Sequence, residues 1–427
     1  MSLSCDLSST AALIGTSASA HPTCARLHFL LSGTFNTVFL YLLAFSPYTT
    51  PPALSVHRKY RAEGPHQFLA VNEARDRVYA TTWAQPPSLS SWSVSGGGRL
   101  GIEKLNTVPI SATGSYLTVL PNELAARLST GPSARLYQAG GPVAQTFSLS
   151  SSTGAIVEQL QELIYLDGGS TELWDVKTDR TRVALRYGSH AIDIDPVSQR
   201  AYVPHVGRDS IFVYALESAG TLRELAEVPS FGRKGHEGPR HSIPSRDGSK
   251  LYVVTEHSSY LDVYDVNADR PHLTHRDRLS VIPRSLDDNR SHYRGDTLRL
   301  SLDGERLYVT TRGKTRAEKG FVSVWSVSPD GSIVDSHDSR GGKGYGALHR
   351  YETETSGGKA NAIEIFPFAG PTEWIVLTDD EQGWVSVLEW DRHSSQLLKT
   401  AQVRLGVQEG AEEEERDTGA SHAVWLS

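Results

Sequence analysis

Apolar and polar positions alternate along this chain in short runs, each closed by an acidic, glycine or proline turn. Alternation with a period of two puts successive side chains on opposite faces of a strand. The runs also recur as a unit: a strand, an acidic or Gly turn, a strand reading aromatic–Val–x–Thr, a loop, and a third alternating strand. The unit reads LAVNEARDRVYATTWAQPPSLSSWSV at 69–94, IDIDPVSQRAYVPHVGRDSIFVYAL at 192–216 and SIPSRDGSKLYVVTEHSSYLDVYDV at 242–266. It returns as LRLSLDGERLYVTTRGKTRAEKGFVSVWSV at 298–327 and IEIFPFAGPTEWIVLTDDEQGWVSVLEW at 363–390. Its aromatic falls at Tyr79, Tyr202, Tyr252 and Tyr308, with Ile375 in the last copy, at gaps of 123, 50, 56 and 67 residues. The first gap covers two periods, and ARLYQAGGPVAQTFSLS at 134–150 is a degraded copy within it. These make six units. The apolar pair in HFLLSGTFNTVFLYLLAF (28–45) and the closing SHAVWLS (421–427) complete a seventh.

Four-stranded sheets repeating about every 40–60 residues predict an all-β, seven-bladed β-propeller. Closing the ring between the N- and C-terminal strands removes the last open sheet edge. Residues 27–427 then form a single propeller domain. Residues 1–26 read as a dispensable tail, without the basic start and sustained apolar core of a signal peptide. The 28–45 stretch is not read as a membrane span. SGTFNT splits it into runs too short for the roughly 20 residues a spanning helix needs, so strand–turn–strand is expected.

Composition narrows the function classes. With 37 Gly, 21 Pro and one Met, the chain suits many turns rather than long helices. Its two cysteines, Cys5 and Cys24, leave the propeller without a disulfide framework or a thiolate metal site, and a cytoplasmic location is expected. A net charge of −7 offers no global field to nucleic acid or to an anionic membrane. An anionic ligand therefore has to be held by a local cluster of cations.

The repeat locates one. Twelve residues before the aromatic stand Gln67, His190, Arg240, Asp296 and Ile363; four after it stand Trp83, Val206, Glu256, Arg312 and Asp379. In a propeller, equivalent ends of the inner strands ring one mouth of the central channel, so these residues should converge. His190, Arg240, Glu256 and Arg312 come from three consecutive units, with Arg294 and Lys314 nearby. A guanidinium fork suits carboxylate recognition, and a histidine beside it can move a proton near neutral pH. Spacing alone leaves a second reading, in which Arg240 and Glu256 are only a channel-lining ion pair and His190 is structural. His205, His241 and His257 read as surface or loop histidines, and no third ligand recurs to make a metal site. EEEER (412–416) reads as a solvated loop. GGKGYG (341–346) lacks the strand-to-helix setting of a phosphate cradle.

The segments SHAIDIDP, GPRHSIPSRDGSKLYVVTEHSS, YRGDTLRLSLDGERLYVTTRGK, TSGGKANAI, TDDEQGWVSVLEW and HAVW resemble the fungal carboxy-cis,cis-muconate cyclases, the carboxymuconate lactonizing enzymes. The resemblance covers most of residues 28–427 and is weak over 95–165. It implies a seven-bladed propeller acting as a cofactor-independent cycloisomerase of aromatic-compound catabolism (the β-ketoadipate pathway), with a small anionic muconate as its partner and a possible homo-oligomer. It also implies a catalytic set of His190, Arg240, Glu256 and Arg312, with Arg294, Lys359, Asn361 and His422 contacting substrate. Lys359 stands where the family has His, and His422 where Asn is usual. A lactone hydrolase of the phosphogluconolactonase type and a non-catalytic interaction propeller are the alternatives.

Overall fold

In the computed structural model seven antiparallel sheets stand around a central channel; residues 27–128, 134–165, 179–232, 236–267, 270, 272–334, 344–408 and 418–427 are described. The 1–26 tail, both cysteines and EEEER lie outside them, as does the start of GGKGYG. Blade 1 closes the ring: its inner strand is Ala420–Trp425, followed outward by His28–Thr34, Phe39–Ser46 and Ala53–Arg61. The 28–45 stretch is thus a strand pair, with Leu30 opposite both Leu43 and Trp425. Among the described residues no helix is long and apolar enough to cross a membrane.

Blades 2 to 7 begin with inner strands Leu69–Val71, Tyr116–Val119, Asp193–Asp195, Pro239–Pro244, Tyr293–Leu300 and Ile363–Ile365. Each then runs outward through successive strands, and blade 6 takes a fifth at His349–Glu352. Second and third strands are buried on both faces, whereas outer strands such as Leu222–Pro229 alternate towards solvent. Six blades carry a register shift between third and fourth strands, for example at Leu42/Leu43, Ser91/Trp92 and Val263/Tyr264. An extra residue there raises the local twist.

The repeat aromatic explains itself in this packing. Tyr79, Tyr252 and Tyr308 are fully buried between blades. The Tyr79 hydroxyl donates to the Gly154 carbonyl of blade 3 (3.0 Å), and Tyr252 to Gly331 of blade 6 (2.5 Å). Tyr137 donates likewise to Gly220 of blade 4 (2.9 Å), which identifies it as the aromatic of the degraded copy. All three glycines take φ near +75° to +80°, a conformation that other residues rarely adopt. Blades 2, 3 and 5 thus pack a ring against the next blade and also hydrogen-bond its tight turn, whereas Tyr308 of blade 6 donates to the Glu373 carboxylate.

Candidate active site

The ends of the inner strands are where the fold departs from regularity. In blade 5 the pairing shifts between Pro239 and His241, so Arg240 is the extra residue of a bulge. In blade 6 the shift lies between Gly295 and Leu298 and contains Asp296. Bulges re-aim side chains, and these two bring Arg240 and Asp296 together: Nη1 of Arg240 lies 2.6 Å from the Asp296 carboxylate and donates to its carbonyl at 2.8 Å. The loop entering Arg240 is fixed from behind by Asp209, whose carboxylate accepts backbone N–H groups of His236, Glu237 and Gly238.

A cavity of about 310 Å³ opens at this mouth, lined by His190, Arg240, Glu256 and Arg312 from blades 4, 5 and 6 together with Gln67, Trp83 and Lys359. Glu256 is its electrostatic centre. One carboxylate oxygen faces Nε of Arg240 at 3.2 Å; the other meets Arg312 at 3.0 Å and Arg294 at 3.5 Å. Burial pushes the Glu256 carboxyl up, but Arg312 and Arg240 outweigh it and bring its pKa down to about 2. Glu256 is therefore a carboxylate at neutral pH, and burial does not make it an acid. His190 is the opposite case. Burial, then the Arg240 guanidinium, hold its imidazole well below the ordinary value, against an opposing pull from Glu256. It rests neutral. Two buried donors or acceptors on the lining, His190 Nδ1 and Arg312 Nε, have no hydrogen-bond partner among the described residues. Leaving such groups unpaired costs roughly 1–3 kcal/mol each, a cost that a bound anion would remove.

The other residues singled out from sequence divide. Arg294 reaches the site through Glu256. Lys359 lines the cavity, and its ammonium is tied to Asp380 (3.1 Å) and Asn36 (3.0 Å). Asn361 is buried off the cavity, where its amide donates to the Thr311 carbonyl (3.0 Å) and its backbone N–H to Asp296 (2.6 Å). His422 lies deeper in the channel, stacked on Phe68 at 3.9 Å, with Nδ1 accepting from the Leu69 N–H. Neither of these two side chains lines the cavity; both are held by the scaffold.

Three expectations are corrected. His241 and His205 are buried, not surface or loop residues. His241 packs against Tyr116 and His190 inside the channel. His205 packs against Tyr165 and Phe212, and its Nδ1 accepts from the Arg208 N–H. The ring position of blade 7 is also Ala362 rather than Ile363. The residue paired with the aromatic lies nine positions before it in blades 2, 4, 5 and 6, as in Ile243↔Tyr252, but ten before it in Ile365↔Ile375. A longer turn shifts the count by one.

Sequence comparison of inner-strand ends did not find Arg182 and Arg186, which also line the cavity. They sit on a short 3-10 turn, Arg182–Arg186, between blades 3 and 4, outside the repeat. Its only sequence signal is the TDRTR start, where Thr181 caps the Val183 N–H and is itself held by Asp179. Among the described residues no three His, Cys, Asp or Glu side chains are placed to hold a metal ion.

Comparison with known proteins adds four findings. The family described as "Lactonase, 7-bladed beta-propeller" matches residues 142–344. The chain is 31% identical over 368 residues to muconate cycloisomerase 1 of Cutaneotrichosporon cutaneum, covering 84% of this chain and 90% of the relative. It is 24% identical over 225 residues to the carboxy-cis,cis-muconate cyclase of Neurospora crassa, covering 51% of this chain and 57% of that one. Among solved structures, the periplasmic gluconolactonase of Pseudomonas aeruginosa superposes with a TM-score of 0.69 at 15% identity, covering 94% of this chain and 99% of that one, which establishes shared fold.

Proposed function

Because this chain belongs to the muconate-lactonizing cyclase family of seven-bladed lactonase-type propellers, we propose that it is a cycloisomerase that closes a carboxylated cis,cis-muconate to its lactone. The observation that carries this reading is the cavity itself: His190, Arg240, Arg312 and Lys359 face one space with Glu256 as the single lining carboxylate among the described residues. A diene bearing several carboxylates fits that charge and needs that histidine.

Lactonization is an internal conjugate addition. A substrate carboxylate oxygen forms a C–O bond to an alkene carbon, and the π electrons move onto a conjugated carboxyl group as an enediolate. A proton then joins the neighbouring carbon, so one negative charge is consumed overall. Arg240 and Arg312 grip carboxylates and stabilise the enediolate charge in a poorly solvated site, where fixed cations act most strongly. Holding the chain folded, with oxygen against carbon, contributes the orientational part. Glu256 and Asp296 keep the two guanidinium groups in place.

The proton comes from His190, and the electrostatics account for its timing. Neutral in the empty site, the imidazole is held down by burial and by Arg240. A bound polyanion offsets Arg240 and Arg312 and adds negative charge beside the ring, so its pKa rises and it takes up a proton with the substrate. That proton is then delivered to carbon. Purified protein mixed with cis,cis-muconate or 3-carboxy-cis,cis-muconate should bleach the diene absorbance and yield a lactone. Mixed with gluconolactones it should release no acid. Hydrolysis of the lactones with an unchanged diene would assign the site to the hydrolase reading instead.

A further inference from the structure

The cations of the cavity fall into two groups. Those presented by the blades are already countered: Arg240 by Glu256 and Asp296, Arg312 by Glu256, and Lys359 by Asp380. Those on the 3-10 turn are not. Arg182 lies over the indole of Trp83, 5.3 Å from the ring centroid, and pairs with no carboxylate among the described residues. Arg186 pairs with none of them either; burial lowers the Arg294 guanidinium pKa, and the charges of Arg312 and then Arg186 lower it further, against Glu256. Among the described residues, the outer rim thus carries two uncompensated positive charges over a cavity whose inner wall is near balance.

This turn is a built element. Ala184 and Leu185 are buried beneath it while Arg182 and Arg186 remain exposed. Its exit is clamped by backbone pairing: Ser189 exchanges hydrogen bonds with Gly141 (2.8 and 3.1 Å), and Val206 and Gly207 donate to the Gly188 and Tyr187 carbonyls (both 3.0 Å). A Cβ at Gly188 or Gly207 would collide with this backbone. The clamped stretch ends at His190, so Arg186 and the proton-carrying histidine are four residues apart on one fixed strap.

We propose that Arg182 and Arg186 form a second anion subsite at the rim, which takes the extra carboxylate that distinguishes a tricarboxylate muconate from a dicarboxylate one. This rests on the cycloisomerase reading and makes the pair the determinant of substrate charge. The wall guanidinium groups hold the two carboxylates common to both substrates. The third carboxylate projects outward, towards the two arginines that pair with no carboxylate among the described residues. A charge-assisted contact of this kind is worth about tenfold to a hundredfold in affinity.

The test compares wild type, Arg182→Gln, Arg186→Gln and the double variant on 3-carboxy-cis,cis-muconate and on cis,cis-muconate. The double variant should lose about 100-fold or more in kcat/KM on the tricarboxylate and less than about threefold on the dicarboxylate, at unchanged Tm. Arg186→Lys should recover part of the loss that Arg186→Gln causes. Equal losses on both substrates, or none on either, would overturn the subsite. If wild type turns over neither diene, the cycloisomerase reading fails by itself. The subsite is then judged by titrating benzene-1,2,4-tricarboxylate against benzene-1,4-dicarboxylate: a preference for the tricarboxylate that disappears in the double variant supports it, and one that persists rejects it.

Discussion

Two clusters of charged and aromatic groups occupy the same channel and differ in one respect. At the mouth, His190, Arg240, Glu256 and Arg312 border about 310 Å³ of open space. Below them, Asp193, Tyr116, His241 and His422 are buried and Arg299 and Glu364 half-buried, in a cluster that is no less polar. There Arg299 binds Glu364 at 2.9 Å, and the Asp193 carboxylate accepts from Tyr116 (2.7 Å) and Ser242 (3.0 Å). Both clusters contain nitrogens with no hydrogen-bond partner among the described residues: His241 Nδ1 and His422 Nε2, the latter 3.6 Å from Glu364, as well as His190 Nδ1. Unsatisfied atoms therefore do not separate them; room does. The space around His241 and His422 is about 10 Å³, enough for one water at most. A charged channel cluster becomes a site where spare hydrogen-bonding capacity coincides with volume.

The sharpest way to break this comparison is to remove one histidine from each cluster. His190→Gln should lower turnover by about 100-fold or more with little change in Tm, because it removes the proton donor and leaves the packing. His422→Gln should do the reverse. It gives up a stack on Phe68 and a hydrogen bond to Leu69, costing about 1–2 kcal/mol of stability and less than threefold in turnover. A large kinetic loss at His422 would mean that substrate reaches the inner cluster after all. Steady-state kinetics and denaturant unfolding on the same two proteins decide it.

Of intermediate size is the proton taken up on binding. His190 rests neutral, and a bound polyanion raises its pKa, so the complex holds more protons than the free protein near pH 7. Affinity for a non-reacting tricarboxylate should then strengthen as pH falls from 8 towards 6. Calorimetry in buffers of different ionisation enthalpy should report uptake of up to about one proton per site, absent in His190→Gln. Zero uptake in wild type would remove His190 as the carrier.

The repeat in the sequence carried most of this architecture, because each blade must bury the same inner strands. Tyr79, Tyr202, Tyr252 and Tyr308 mark it plainly, and the ring logic that follows places His190, Arg240, Glu256 and Arg312 at one cavity. The limits have physical causes. Tyr137 was hidden because blade 3 keeps only the ring and its reach to Gly220, not the Val–x–Thr pattern around it. Ala362 was displaced by a single added turn residue, which no count along the chain detects. His241 was misplaced because the bulge at Arg240 changes which neighbours face the channel. Arg182 and Arg186 belong to a connection between blades, where no periodicity exists to align them.

The smallest expected effect distinguishes the clusters by stability alone. Burial raises the Asp193 carboxyl to about 6, against the opposing hydrogen bonds of Tyr116 and Ser242. A carboxyl whose pKa is higher in the folded state penalises folding once pH exceeds its unfolded value near 3.8. The penalty grows up to about pH 6 and stays constant above. Asp193→Asn removes the ionisation and keeps an acceptor for Tyr116. It should therefore be more stable than wild type by about 1 kcal/mol at pH 8, lose that advantage near pH 4, and leave turnover unchanged. Urea midpoints at the two pH values measure it. Destabilisation at pH 8 that disappears near pH 4 would show that Asp193 is needed as a carboxylate, and the inner cluster would then be more than packing; equal destabilisation at both would assign it a pH-independent packing role.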